Sequence, residues 1–255
     1  MSTDRANGSL YTKIENRIAT IEFGHPASNS FVSELLERLT KELDKLSKSD
    51  EVSIILLKSE GERAFCAGAS FDELVAISNL EEGKAFFSGF ANVINAMRIC
   101  TKPIIGRIQG KAVGGGVGLA SACDYVYATE AASIKLSEIS IGIAPLVIAP
   151  AVERKIGKAG LAELSLSPTE WKNAYWAKEK GLFSKVFDSI AEMDKELEFH
   201  TKKLASYNPE ALAQMKRALW EGTEHWSKLL LDRAEQSGKL ALSSATKAAL
   251  EKFKK

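Results

Sequence analysis

The sequence predicts an α/β fold followed by a helical tail, and three features carry that reading. Short apolar runs rich in β-branched residues alternate with segments of helical periodicity between Leu10 and Leu136. A glycine run, Gly114-Gly115-Gly116, follows one such strand and precedes a small, apolar helical stretch. From about Asp194 strand formers nearly vanish, and Ala, Leu, Lys and Glu dominate to Lys255. Strand, helix, strand, glycine turn, helix, strand is a βαβ progression, which implies crossover connections. A chain of 255 residues buries about three-quarters of its unfolded surface, enough for one large core. One α/β domain with an appendage is expected, residues 1–193 forming the core and 194–255 the helical region.

Leu10 to Phe23 alternates loosely, with Ile14, Ile18, Ile21 and Phe23 around Asn16-Arg17, which predicts a hairpin or two short strands. Gly24-His25-Pro26 ends it. Asn29 or Ser30 is placed to cap the next segment, where Phe31, Leu35, Leu36, Leu39 and Leu43 recur at helical spacing. Val52 to Leu57 reads as a buried strand by its β-branched content, and Gly61 to Gly68 as a loop interrupted by Ala64-Phe65-Cys66-Ala67. A second amphipathic helix is expected from about Glu81 to Met97, then a strand from Pro103 to Ile108. The glycine run opens a helix ending near Cys123-Asp124, and Tyr125 to Ala128 and Ser133 to Leu136 are short strands. In the tail, Leu197, Leu204, Leu212, Met215 and Leu219 indicate helices, with Pro209 in a first-turn position after Asn208. Two further helical stretches are expected around Gly238.

Lys and Arg number 34 against 33 Asp and Glu, so almost no net field attracts a polyanion. That argues against a nucleic-acid binder resting on phosphate neutralisation. Cys66, Cys100 and Cys123 lie in or beside apolar runs without CxxC spacing and read as small buried thiols in a reducing compartment. No histidine falls near a cysteine, so no metal site is expected. Met1 to Leu10 is polar and carries both charge signs, and no run approaches the length of a membrane span. A cytoplasmic protein without membrane contact is expected. Neither a dinucleotide-binding G-x-G-x-x-G nor a phosphate-binding G-x-x-x-x-G-K-[ST] is present.

The glycines are the first candidates for chemistry. Without Cβ atoms they can expose backbone N–H groups, and the helix they open favours an oxygen acquiring negative charge. A close-packed turn explains three glycines equally well on its own. Gly68-Ala69, after the preceding strand, could bring a second N–H to the same place. Two converging donors form an oxyanion hole. Glu138 is the candidate acid: Leu136 precedes it, and Ile139, Ile141, Ile143 and Ala144 to Ile148 follow. Such flanks desolvate a carboxyl, raise its pKa and ease proton exchange near neutrality. Cys66 has no nearby histidine and no G-x-S-x-G elbow occurs, so covalent catalysis is disfavoured. Asp124 is expected to fix a turn by accepting backbone N–H bonds. His25 reads as a turn residue, and His200 and His225 as surface residues.

Phe65-Cys-Ala-Gly-Ala-Ser70, Pro103 to Leu119, Ala122-Cys-Asp124 and Ser137-Glu138-Ile-Ser-Ile-Gly-Ile-Ala-Pro145 occur in order and resemble the crotonase, or enoyl-CoA hydratase/isomerase, superfamily. The match spans essentially the whole chain. It implies an α/β spiral of ββα units, a C-terminal helical trimerisation region, and homotrimers or hexamers built as dimers of trimers. It also implies acyl-CoA thioester substrates with coenzyme A as part of the substrate, and no separate cofactor. Carried over, the oxyanion donors fall at Ala69 and Gly115 and the catalytic acid at Glu138. The second glutamate of two-acid hydratases falls at Gly118, which has no side chain. Ser70 stands where many members carry aspartate. The implied CoA contacts are His25, Ala27, Lys58, Arg63, Ala67 and Gly114. Val75, Leu146 and Trp171 are candidates for the acyl pocket. Hydration of a short or branched 2-enoyl-CoA, methylglutaconyl-CoA among them, is the leading implied reaction. Δ3,Δ2-enoyl-CoA isomerisation and another enolate chemistry such as decarboxylation are the alternatives.

Overall fold

The structure, a computed structural model, describes residues 7–252; the outermost residues of both expected regions lie outside that range. Strands β1 (Ser9–Glu15) and β2 (Ile18–Gly24) form the expected antiparallel hairpin. Asn16 and Arg17 both take positive φ, 50° and 64°, in the tight turn between them. That backbone twist matches the twist of the paired strands. Helix α1 (Ser33–Ser47) buries the leucine stripe Leu35, Leu36, Leu39, Leu43 and Leu46, each worth about 1.5–3 kcal/mol on burial. Its start differs from expectation. Val32 is the cap position: the Asn29 Oδ1 that would cap the helix instead accepts from the His25 N–H at 3.1 Å, while its amide nitrogen donates to the carbonyls of Glu60 and Ala64 at 2.8 and 2.9 Å.

The chain then lays one strand in a large sheet and the next in a small one, three times over. The pairs are β3 (Ile54–Ser59) with β4 (Ala64–Cys66), β5 (Ile104–Ile108) with β6 (Lys111–Val113), and β7 (Tyr125–Thr129) with β8 (Ser133–Lys135). Helices α2 (Phe71–Ala76) and α3 (Leu80–Ile99) follow the first pair, and α4 (Gly115–Ala122) the second. This is the ββα spiral. After β8 come α5 (Ala149–Leu166), broken at Gly157, then β9 (Lys172–Asn173), α6 (Ala174–Glu179) and β10 (Lys185–Phe187). The tail consists of α7 (Ile190–Ala205), α8 (Pro209–Leu219), α9 (Trp226–Ala241) and α10 (Ser244–Glu251). The large sheet runs β1-β2-β3-β5-β7-β10, parallel except for β1, and the small one β4-β6-β8-β9. Two- and three-residue strands are too short to show alternation, so β4, β6 and β9 were not separable from loops by pattern.

The tail packs against the α/β core. Met193, Leu197 and Ala205 of α7 meet Ile54, Ile105 and Tyr127 on one face of the large sheet. Helix α9 runs unbroken through Gly238 and lies on α3 of the same chain, where the sequence suggested two stretches. A Cβ on Gly238 would stand 2.9 Å from the Gly83 backbone, so the two glycines let the helix axes approach closely. The apolar surface left by the tail is smaller than its composition suggests. Leu230 and Leu250 are buried within the protomer, Leu229 and Leu242 partly so, while Leu231 and Leu240 stay 36% exposed.

Asp124 does more than fix a turn. It accepts from the Ile104 N–H at 2.7 Å, as expected, but also from Lys216 Nζ on both oxygens and from Trp220 Nε1 at 2.7 Å. The Lys216–Asp124 pair is almost wholly enclosed, at 1% and 4% side-chain exposure. It fastens α8 to the junction of α4 and β7. Among the described residues no helix is long and apolar enough to cross a membrane.

Candidate active site

A cavity of about 210 Å³ opens at the C-terminal ends of β4, β6 and β8. Ala67-Gly68-Ala69 follows β4, Val113-Gly114-Gly115 follows β6, and Ser137-Glu138 follows β8. The first loop is held by a network of main-chain bonds. Ala67 donates to Ser28, Phe31 donates to Gly68, and Ser70 donates to Phe31. Among the described residues the Ala69 and Gly115 N–H groups donate to no protein acceptor. The second loop needs glycine: Gly114 sits at φ 52°, and a Cβ there would lie 2.7 Å from Glu138 Oε1. Gly115 then begins α4, with its amide at the positive end of the helix.

Glu138 opens a 3₁₀ turn, Glu138–Ile141. The residue is only half-buried, but its carboxyl end is enclosed, and Oε2 has no hydrogen-bond partner. Burial pushes its pKa up to about 7, against a smaller lowering by its own backbone N–H. The turn is braced by the tail, since Thr246 Oγ1 of α10 donates to the Gly142 carbonyl at 2.8 Å. Around the carboxyl the walls are apolar: Phe71 and Leu74 from α2, Phe86, Phe87 and Phe90 from α3, and Ile141 to Ile148. Cys66, by contrast, is buried with its thiol pKa pushed up to about 12, so it is no nucleophile at neutral pH.

A buried carboxyl poised near neutrality beside two free amides is equipped to move a proton while an oxyanion is held. The sequence profile of the enoyl-CoA hydratase/isomerase family matches residues 13–249. This chain belongs to that family. It is 30% identical over 196 residues to the peroxisomal Delta(3,5)-Delta(2,4)-dienoyl-CoA isomerase of Arabidopsis thaliana, covering 72% of this chain and 70% of that one. It is 33% identical over 201 residues to the mitochondrial methylglutaconyl-CoA hydratase of Rattus norvegicus, covering 77% and 63%. The crystal structure of enoyl-CoA hydratase from Bacillus halodurans superposes with a TM-score of 0.87 over 95% of this chain and 99% of that one, at 21% identity.

For this enoyl-CoA hydratase/isomerase family member the structure sorts the candidate residues. It brings Ala67, Ala69, Gly114, Gly115, Glu138 and Leu146 to one cavity. His25 and Ala27 lie beside it in the turn whose Ser28 carbonyl holds Ala67, and His25 lines a small recess with Glu60 and Ser9. Four candidates are placed elsewhere. Lys58 shares a face of β3 with Leu56, toward α7, where it pairs with Glu22 at 3.1 Å and lines a groove with Arg107 and Asp194. Strand alternation turns it away from the core face that carries Ile55 and Leu57. Arg63 is exposed on the loop before β4. Val75, half-buried, packs against the cluster of Leu74, Ile77 and Phe86 and is not among the residues lining the cavity. Trp171 is 41% exposed, with Lys111 and Lys135 Nζ at 5.0 and 4.5 Å from its ring. Between residues 168 and 180 the helix is confined to the six residues of α6.

Sequence reading missed the α3 phenylalanines, which the helical spacing of Phe86, Phe87 and Phe90 could have revealed as one face, and Ser237 of α9. Ser70 serves as the cap of α2, accepting from the Glu73 N–H at 3.3 Å. At Gly118 the structure bears on the two-acid scheme directly. A Cβ there would lie 2.5 Å from Ile148 Cγ2, with Ile94 next to it. The space next to Gly118 is thus taken up by hydrocarbon side chains. Gly118→Glu is therefore expected to cost at least about 1–3 kcal/mol of stability through overpacking alone. A lower Tm with no gain in turnover is the outcome to look for; faster turnover at unchanged Tm would show that the site accommodates a second acid.

Proposed function

We propose that this member of the family is an enoyl-CoA hydratase, adding water across the C2–C3 double bond of a short, neutral 2-enoyl thioester. The observation that carries this reading is the enclosed Glu138 carboxyl, with one oxygen unpartnered, in the same cavity as the two free amides. Water attacks C3 and its proton passes to Glu138. The electron pair of the double bond moves toward the thioester oxygen, where the Ala69 and Gly115 N–H groups hold the charge as an enolate. Glu138 then returns a proton to C2, leaving the 3-hydroxyacyl thioester. One group serves as base and acid in turn, so it must be able to hold either state at working pH. A pKa of about 7 allows that.

The charge state sets a pH dependence. Attack requires ionised Glu138, so kcat/KM is expected to rise about tenfold per pH unit below about pH 7 and to level off above it. A profile flat from pH 5 to 8 would show that Glu138 titrates elsewhere or is not the base. The acyl group is proposed to be neutral because the described lining residues include no Lys, Arg or His. A carboxylate-bearing acyl chain would bury a second negative charge beside Glu138 without a counter-ion.

A second reading has its own support. Among the described lining residues Glu138 is the only acid, and one acid suffices to carry a proton between C2 and C4 in Δ3,Δ2 isomerisation. Ultraviolet absorbance separates the two. Hydration removes the conjugated enoyl thioester band, whereas isomerisation of a 3-enoyl thioester creates it. Growth of the band from a 3-enoyl-CoA, with no loss from the 2-enoyl-CoA, would transfer the assignment to the isomerase. Decarboxylation remains the outcome if neither change occurs and carbon dioxide is released from a malonyl-type thioester.

The reaction as proposed uses no metal or separate cofactor, since coenzyme A arrives with the substrate. Homotrimers or hexamers are proposed from the family resemblance, with Phe199, Tyr207, Met215 and Leu219 as the exposed apolar residues such contacts would cover. Three free, buried cysteines fit a reducing compartment such as the cytoplasm.

A further inference from the structure

Two serines line the active-site cavity, Ser137 and Ser237, and the proposed chemistry uses neither; Ser237 is the deeply buried one. Ser237 of α9 is 1% exposed, lines the cavity, and its hydroxyl has no hydrogen-bond partner. A helical serine or threonine usually bonds back to the carbonyl three or four residues earlier. Thr201 in α7 does so, donating to Leu197 at 2.8 Å, and Thr40 in α1 donates to Leu36 at 2.9 Å. Ser237 does neither. An unpaired buried hydroxyl is disfavoured relative to a methyl group, so its partner is expected to come from whatever fills the cavity. The buried, unpartnered side-chain atoms among the described residues belong to Ser121, Glu138, Arg154 and Ser237, and of these only Glu138 and Ser237 face this cavity.

Ser237 is held there by backbone packing. Gly238, the next residue, meets Gly83 across the α3–α9 crossing, which draws α9 against α3. One turn earlier Arg233 donates to the Leu146 carbonyl at 3.2 Å and ties α9 to the wall after Glu138. The rest of the α3 wall is Phe86, Phe87 and Phe90. A hydrocarbon pocket discriminates weakly against an added hydroxyl, whereas a site with a fixed hydrogen-bonding group discriminates strongly in its favour.

We propose that Ser237 determines acyl specificity: its hydroxyl hydrogen-bonds a neutral oxygen on the acyl chain, so hydroxy- or oxo-substituted acyl thioesters are preferred over plain hydrocarbon ones. The proposal rests on the reading of this cavity as an acyl-CoA site, and its test is separable from the hydratase assignment. Pentanoyl-CoA and its derivatives with a hydroxyl at C4 or C5 are titrated into wild type and Ser237→Ala by calorimetry. The corresponding pentenoyl thioesters are assayed for turnover alongside. Wild type is expected to bind one hydroxylated ligand about 10-fold tighter than the plain one, and Ser237→Ala to lose that preference at unchanged or raised Tm. A preference identical in both proteins, or absent from wild type, overturns the proposal while leaving hydration intact. A preference that Ser237→Ala abolishes, in a protein that hydrates none of the thioesters, upholds Ser237 and removes the hydratase reading.

Discussion

Replacing Glu138 by glutamine is expected to lower kcat by roughly 10²–10⁴, the range of a general acid–base group, with little change in acyl-CoA affinity. Glutamine keeps the size and much of the polarity of the side chain but accepts no proton at working pH. The oxyanion donors proposed at Ala69 and Gly115 belong to the backbone and are untouched by the change. A structural role for Glu138 predicts a different outcome, because its carboxyl is buried without a partner for Oε2. Its folded pKa, about 7, lies above the unfolded value of 4.5. The group therefore binds its proton more tightly in the folded state. Its contribution to stability is fully present below pH 4.5 and is lost as pH rises through about 7. Glu138→Gln should remove that dependence, leaving a variant at least as stable as wild type at pH 8 and far less active. Loss of activity accompanied by a lower Tm at pH 8 would assign Glu138 a structural role instead.

The second large effect is on stability. Asp124→Ala leaves Lys216 charged in a nearly closed site and strips partners from Trp220 Nε1 and the Ile104 N–H. Breaking such a pair by removing one member costs about 3–5 kcal/mol, because the remaining charge is buried without compensation. Lys155 and Arg154 stand close by, with burial lowering the pKa of each, Lys155 to about 8. Loss of this acid beside these cations makes their enclosure costlier still. Denaturant unfolding of the variant is expected to show a midpoint far below wild type. A change under about 1 kcal/mol would mean that water reaches Lys216 and relieves it.

Much of this arrangement was legible in the chain. The leucine stripe of α1, the hairpin at Asn16-Arg17 and the glycine run opening α4 follow from local periodicity and backbone preference. So does the desolvation of Glu138, which its apolar flanks foretold. What stayed hidden depends on which face a residue takes or on partners distant in sequence. Lys58 is one strand position from pointing toward the core, and the loop beside it gives no indication of that parity. Asp124 and Lys216 meet across 92 residues. Ser237 reaches the cavity because Gly83 and Gly238 allow two helices to touch, and neither glycine announces the other.

The central claim is that Glu138 adds water to an enoyl thioester whose developing charge rests on the Ala69 and Gly115 amides. Turnover of a short 2-enoyl-CoA in ¹⁸O-water, followed by mass spectrometry, tests it directly. Wild type is expected to place one labelled oxygen on C3, and Glu138→Gln to do so at least about 10²-fold more slowly. A product with the double bond moved and no label, or equal labelling rates in the two proteins, would contradict it.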